Sequence, residues 1–325
     1  MSRKFWLQPR FLISSLFLIV MVAGSFIHAW FFDSHIPQTP FLNSEDGVVG
    51  PPFAPFEHSI LGTDSDGVHL FYMILQGAKF TILGALAIAG ISFSLALLIG
   101  IPLGFSRKGT SKWAEHTISV LYFVPVSIIA YQLLNPLLRQ QGPGFATSLT
   151  YRVVAEVLVI AVLLAPPATI LIANLTREFL KKEYVISSRL IGSGAWRITR
   201  QQLFPYLKNH LLDLFSRQTI QAVLVMTHLA VFVVYFGGTG LGFGPPFPVT
   251  NEWASLIGMK YFTIQTSAPW LVLIPLIFLL LFLLSVMGVT GSIKRHEIVD
   301  TSVIEEKQAP PQEPDRPFER VSGER

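Results

Sequence analysis

The apolar residues of this chain are gathered into six runs of about 20 residues or more, and that clustering constrains the fold more than any other feature. The runs are roughly Phe11–Phe32, Phe80–Phe105, Thr117–Leu138, Val153–Leu175, Leu212–Phe236 and Trp270–Thr290. A helix of that length covers the ~30 Å hydrocarbon thickness of a bilayer. Of the 325 residues only 14% are charged and 51% are hydrophobic, too little charge to clothe a soluble body of this size. The expected fold class is an all-α membrane protein with six transmembrane helices.

Basic residues set the expected orientation. With the N-terminus in the cytoplasm, the inner segments hold Arg3, Lys4 and Arg10, then Arg107, Lys108 and Lys112. The fourth and fifth runs enclose Arg177, Lys181, Lys182, Arg189, Arg197, Arg200, Lys208 and Arg217, and the tail adds Lys294, Arg295, Lys307, Arg316, Arg320 and Arg325. These are 20 of the 24 Lys and Arg; Lys79, Arg139, Arg152 and Lys260 fall on the other side or at its boundary. Such asymmetry is the positive-inside signature and places both termini in the cytoplasm. It also accounts for the net charge of +4 without nucleic acid as a partner. A cleaved signal peptide fits the first run poorly, because its apolar core exceeds the usual h-region and no small-x-small site follows. The expected location is the cell membrane, crossed several times.

Residues 33–79 form the expected extracytoplasmic loop. It carries Asp33, Glu45, Asp46, Glu57, Asp64 and Asp66, and five prolines between Pro37 and Pro55 argue against regular structure in its first half. Its end, Val68–Ala78, reads either as a short interfacial helix or as an extension of the second span. Residues 293–325 turn polar and proline-rich and are expected to be a disordered tail.

The segment between the fourth and fifth runs, about 176–208, interleaves basic and apolar residues. Val185, Ile186, Leu190 and Ile191 recur at helical spacing, Gly192 and Gly194 interrupt, and a second helical piece over Ala195–Phe204 is expected to end at Pro205. A helix–glycine turn–helix near the inner membrane face is predicted. Composition alone also accommodates an amphipathic segment that rests on anionic headgroups.

The residue order goes further. Glu183-Tyr-Val-Ile-Ser-Ser-Arg-Leu-Ile-Gly192 keeps the E-x-x-x-A-A-x-x-x-G spacing, with Ser187 and Ser188 in place of the two alanines. Tyr184, Val185, Arg189, Arg197, Ile198 and Pro205 also fall in register with a longer version of the pattern, while Gln202-Leu-Phe-Pro-Tyr206 stands where His-Ile-Leu-Pro-Asn is usual. In these residues the chain resembles permease subunits of dipeptide/oligopeptide/nickel-type ATP-binding-cassette importers. Pro51-Pro52 with His58-Ser-Ile-Leu-Gly-Thr-Asp64 and Gly67 is similar to an outer-loop motif of that family, departing from it at Val68-His69. Gly240-Leu-Gly242, Pro245-Pro246 and Trp253 resemble a second outer segment.

The resemblance implies a type I importer permease fold, with residues 1–10 cytoplasmic, a first span at 11–32 and a core over 80–292 that contains the coupling loop. It implies that a separate ATPase subunit receives that loop, with Glu183 and Arg189 as polar contacts, Ser187 and Ser188 permitting close approach, Gly192 turning the chain, and Val185 and Ile191 packing into the groove or against the spans. The implied partners are a second homologous permease, ATP-binding-cassette ATPases and an extracytoplasmic solute-binding protein, alongside membrane lipid. ATP and magnesium would be bound by those partners: Gly104–Thr110 lacks the lysine of a phosphate loop, so no cofactor is expected in this chain. No catalytic residue or metal site is expected, and no substrate-contacting residue can be named.

Two other classes fit the residues less well. A secondary transporter or channel with an amphipathic cytoplasmic loop needs a set of intramembrane carboxylates, and Glu156, near enough the outer end of its run to reach the interface, is a poor substitute. His228 either lines a pathway or hydrogen-bonds a neighbouring helix. A membrane-embedded enzyme is disfavoured because neither H-E-x-x-H nor G-x-S-x-G occurs. Pro102, Pro125 and Pro166-Pro167 permit kinks, and Ala85 and Ala89 form a small-x-x-x-small pair suited to close helix contact.

Overall fold

The computed structural model describes residues 5–44, 47–106, 125–242 and 244–308. Helix α1, Pro9–Phe31, starts on a proline, whose missing N–H costs nothing in the first turn. Helix α2, Leu70–Phe105, is 36 residues long and begins ten residues before the expected Phe80, so Val68–Ala78 is an extension of the span and no separate interfacial helix. Helix α3 is Val126–Leu138; the start of the expected third run, with Arg107, Lys108 and Lys112, lies outside the described residues. Helix α4, Leu149–Leu180, is capped by the Ser148 hydroxyl and stays helical through Pro166 and Pro167. Helices α5 (Glu183–Leu190), α6 (Ala195–Ile198), α7 (Phe204–Val231), α8 (Trp253–Lys260) and α9 (Trp270–Gln308) follow.

Four helices are long and apolar enough to cross a membrane: α1, α2, α4 and the 270–295 part of α9. Helix α3 is apolar but spans 13 described residues. Helix α7 is long but not in that group: Arg217, Gln218, Gln221 and His228 interrupt even its most apolar stretch. It also stops at Val231, short of the expected Phe236, because Val233, Gly237 and Gly238 adopt positive φ and turn the chain. Helix α9 continues to Gln308 where a disordered tail from 293 is expected. Ser292–Gln308 holds no Gly or Pro to break it, and residues 309–325 lie outside the described residues.

Small residues set the packing. Ala85, Ala89, Ala96, Gly100 and Gly104 recur along one face of α2, all buried, and α4 lies against that face. A Cβ on Gly100 would come within 2.8 Å of the Thr169 carbonyl oxygen, and one on Gly104 within 2.5 Å of Thr176 Cβ. The two backbones therefore approach as closely as the absence of side chains allows. Polar pairs tie α7 to its neighbours: the Ser92 hydroxyl donates to Gln218 Oε1 at 3.0 Å, and Ser216 and Thr290 hydroxyls are 2.7 Å apart. The main apolar core runs through α2, α3, α4, α7, α8 and α9. A smaller one, Phe179, Val185, Ile198, Leu203 and Leu207, lies at the junction of α4, α5, α6 and α7.

Outside the helices, two short antiparallel hairpins form. Strands β1 (Leu42–Ser44) and β2 (Gly47–Val49) pair within the 33–69 loop, and β3 (Thr239–Gly240) and β4 (Phe247–Pro248) pair after α7.

Candidate functional site

The 183–205 segment folds as a capped hairpin. Glu183 sits in the first turn of α5 and Arg189 in its last, each at the end of the helix where its charge is favoured. Helix α5 ends in a Schellman arrangement: the Gly192 amide donates to the Arg189 carbonyl at 3.0 Å and the Ser193 amide to the Ser188 carbonyl at 3.0 Å. Gly192 has φ +93°, which only glycine adopts without strain, and open space surrounds it. Gly194 then caps α6.

The hairpin is held by one apolar anchor on each arm, Val185 and Ile198, both buried against Phe179 and Leu207. Ser187 and Ser188 hydroxyls donate back to the Glu183 and Tyr184 carbonyls, and Ser188 also accepts from Gln202 Nε2 at 3.0 Å, joining the two arms. Alanine at 188 would lack that tie. Two cations clip the hairpin to the helix ends: Lys182 lies over the Tyr206 ring at 4.6 Å and Arg189 over the Phe105 ring at 5.6 Å. Arg197 turns to Gln201 at 3.2 Å.

The tip is apolar and uncovered. Leu190, Ile191 and Trp196 are 83%, 87% and 76% exposed, with Tyr184 and Ile186 half exposed beside them. Val185 thus packs inward, while Ile191 points away from the protein's own core. The expected stop at Pro205 does not occur. Ala195–Ile198 runs through a wide π-helical turn, Thr199–Leu203, straight into α7, where Pro205 occupies the first turn. A proline donates no hydrogen bond to the preceding turn, and the wide turn absorbs that gap.

At the other end of the helices a second polar assembly joins the two outer motifs. The Asp64 carboxylate accepts from the Asp66 and Val68 amides at 2.9 Å each, folding the turn before α2. Its other oxygen meets Lys260 Nζ at 3.4 Å, and both side chains are buried. Glu252, fully buried, caps α8 through the Ala254 and Ser255 amides and accepts the Thr81 hydroxyl of α2. Trp253 is fully buried with its indole N–H on the Ile74 carbonyl at 2.8 Å. Gly237 is gripped from α4: its amide donates to Glu156 and its carbonyl accepts from Arg152 Nε. The Arg152 guanidinium also donates to the Thr147 carbonyl and stacks on Phe145. Where the 33–69 loop closes on α2, His69 Nε2 lies 2.8 Å from the Thr39 hydroxyl, and burial lowers the imidazole pKa from its ordinary 6.5.

Residues 96–297 match the family described as "Binding-protein-dependent transport system inner membrane component", well over half of the chain. The chain belongs to that family. It is a family of transport permease components rather than enzymes, and the protein is accordingly a multi-pass component of the cell membrane. Among its relatives is a di/tripeptide transport system permease protein, DppC, of Pseudomonas aeruginosa, 25% identical over 274 residues that cover 83% of this chain and 82% of the relative. The peptide transport system permease protein SapC of Escherichia coli O6:H1 is 27% identical over 66% of this chain and 65% of its own length. The glutathione transport system permease protein GsiD of Pectobacterium atrosepticum is 23% identical over 78% and 75%.

The residues singled out in the permease hairpin, Glu183 to Pro205, do fall together on one element, but they divide into tip and anchor. One intramembrane expectation needs correction. Glu156 does not reach the interface: it is 1% exposed and bound to the Gly237 amide, because Gly237 packs over the end of α4. Of the two alternatives for His228, the hydrogen bond to a neighbouring helix is not made among the described residues, and the side chain lies on an exposed face of α7. Arg152, Glu252 and the Asp64–Lys260 pair were missed. The available signal was Arg152 and Glu156 four residues apart on one apolar helix, two ionisable groups sharing a face.

Proposed function

We propose that this chain is the transmembrane permease subunit of an ATP-driven importer of peptides or a related small solute. In this reading six helices cross the membrane in a type I importer arrangement, with α3 and α7 completing the set and both termini in the cytoplasm. The hairpin tip docks on an ATP-binding-cassette ATPase, which binds ATP and magnesium. A second homologous permease and an extracytoplasmic solute-binding protein complete the assembly.

The observation that carries this reading is the combination of an exposed apolar tip with a buried foot. Leu190, Ile191 and Trp196 offer a hydrophobic knob in a segment that also exposes Lys181, Arg197 and Arg200, and Val185 and Ile198 fix it to the helix ends. An exposed apolar patch with a polar rim on a rigid mount is the form of a protein-docking site. The family, whose transport depends on a binding protein, and the peptide-system names of its relatives support import and a peptide-like cargo. ATPase closure would then move the hairpin, and the helices attached to it would rock between inward-facing and outward-facing states.

Affinity purification of the full chain in mild detergent tests this. An ATPase and a solute-binding protein should co-purify, and a peptide bound to the latter would name the cargo. Gly192→Asp should abolish transport while membrane insertion persists. Transport by the purified chain alone, driven by an ion gradient and indifferent to nucleotide, would overturn the proposal.

A further inference from the structure

An apolar cavity of about 530 Å³ opens on the side of the bundle between α1, α2 and α4. Gly84 and Ala87 of α2 make its floor, Val154 and Leu158 of α4 its wall, and Phe236 closes one side. Gly84 is required there, since a Cβ would come within 2.8 Å of the Phe236 ring. Lys79 is the one charged residue of the lining and faces the cavity through its aliphatic stem. Its ammonium lies 5.8 Å from the Phe26 ring centre and 5.3 Å from that of Phe80, and it forms no ion pair among the described residues.

Depth along α2 defines what fits. From Phe105 to Lys79 the helix rises about 39 Å, beyond the ~30 Å hydrocarbon core, which sets the amine at headgroup level in the leaflet beside the 33–69 loop. From Lys79 down to Ile91, the deepest lining residue of α2, the rise is about 18 Å, of which about 9 Å lies at headgroup level and about 9 Å within the hydrocarbon. A groove with a cation at the headgroup plane and apolar walls through the upper part of the leaflet has the dimensions of a phospholipid headgroup and the first part of one acyl chain.

We propose that this groove is a binding site for an anionic phospholipid of that leaflet, with one acyl chain along Leu83, Ala87 and Ile91 and its phosphate on Lys79. The site is separate from the hairpin and does not depend on the transport reading. The aromatic rings flanking the amine keep it extended toward the headgroup plane.

The test is native mass spectrometry of the full chain, purified in mild detergent with the subunits that accompany it, delipidated and titrated with phosphatidylglycerol or phosphatidylcholine of matched chains. Wild type should retain phosphatidylglycerol about fivefold more tightly, the equivalent of about 1 kcal/mol per basic side chain near a membrane surface. Lys79→Gln should bring the ratio to about one and Lys79→Arg should keep it. Ala87→Phe, which fills the groove at an exposed position, should lower occupancy by both lipids. Glycerol phosphate should displace neither. An unchanged preference in Lys79→Gln, or unchanged occupancy by both lipids in Ala87→Phe, would overturn the site. So would loss of an accompanying permease from Ala87→Phe with lipid binding intact, which would assign the groove to that neighbour.

Discussion

Arg152 and Glu156, one turn apart on α4, hold the two ends of the same glycine: Arg152 Nε donates to the Gly237 carbonyl at 2.7 Å and Glu156 accepts the Gly237 amide at 2.9 Å. The two side chains thus pin the chain six residues past the end of α7, and neither is free to reach water. Gly237 itself has φ +76°, and a Cβ would meet Thr250 Cγ2 at 2.6 Å. The grip therefore requires glycine.

Glu156→Ala leaves the buried Gly237 amide without its acceptor, which costs about 1–3 kcal/mol. Its melting temperature in detergent should fall accordingly. Glu156→Gln keeps a carbonyl oxygen in place and should lose less.

Lys260→Met removes one partner of the buried Asp64 pair. Asp64 keeps two backbone donors, so the loss should stay below the about 3–5 kcal/mol of a buried charge left wholly unpaired. Limited proteolysis of the 33–69 loop should quicken, and Asp64→Asn combined with Lys260→Met should be less than additive in a double-mutant cycle.

The hairpin separates two kinds of substitution. Trp196→Ala and Leu190→Ser at the exposed tip should leave thermal stability unchanged and cut ATPase co-purification at least about tenfold, the scale of a central interface residue. Val185→Ala at the foot should instead cost about 2 kcal/mol of stability. Equal effects of both on melting would contradict the division.

Burial lowers the His69 pKa, so the folded loop favours the neutral ring. The unfolded loop takes up the proton first as pH falls. The stabilisation is complete above the ordinary value of 6.5 and is lost as pH drops through the folded pKa. Protection of the Thr39 amide, which donates to the Gly67 carbonyl, measured against its intrinsic exchange rate at each pH, should fall below that value in wild type and change little in His69→Gln.

The apolar runs were legible because hydrophobicity is additive along a helix: α1, α2, α4 and α9 fall where composition puts them. The hairpin was legible because Gly192 and the Val185 spacing are local signals. Its exit was not, since Pro205 reads as a stop yet occupies the first turn of a continuing helix. The polar assembly near Asp64 and Gly237 was hidden for another reason. Thr81 and Glu252 are 171 residues apart in sequence and Lys260 and Asp64 are 196, so no local pattern announces that they meet. The fifth apolar run was drawn too long because Phe232–Phe236 is greasy in composition and irregular in backbone.

The unbroken passage from Ala195 to Val231 has a mechanical result. Thirty-seven residues of continuous helix, π-helical over Thr199–Leu203, make a rod about 55 Å long, whose near end carries the knob of Trp196 and whose far end stops six residues from the pinned Gly237. If an ATPase docks on the knob as proposed, a sideways push there would travel along the rod toward the opposite membrane face, where Arg152 and Glu156 hold the chain that follows it.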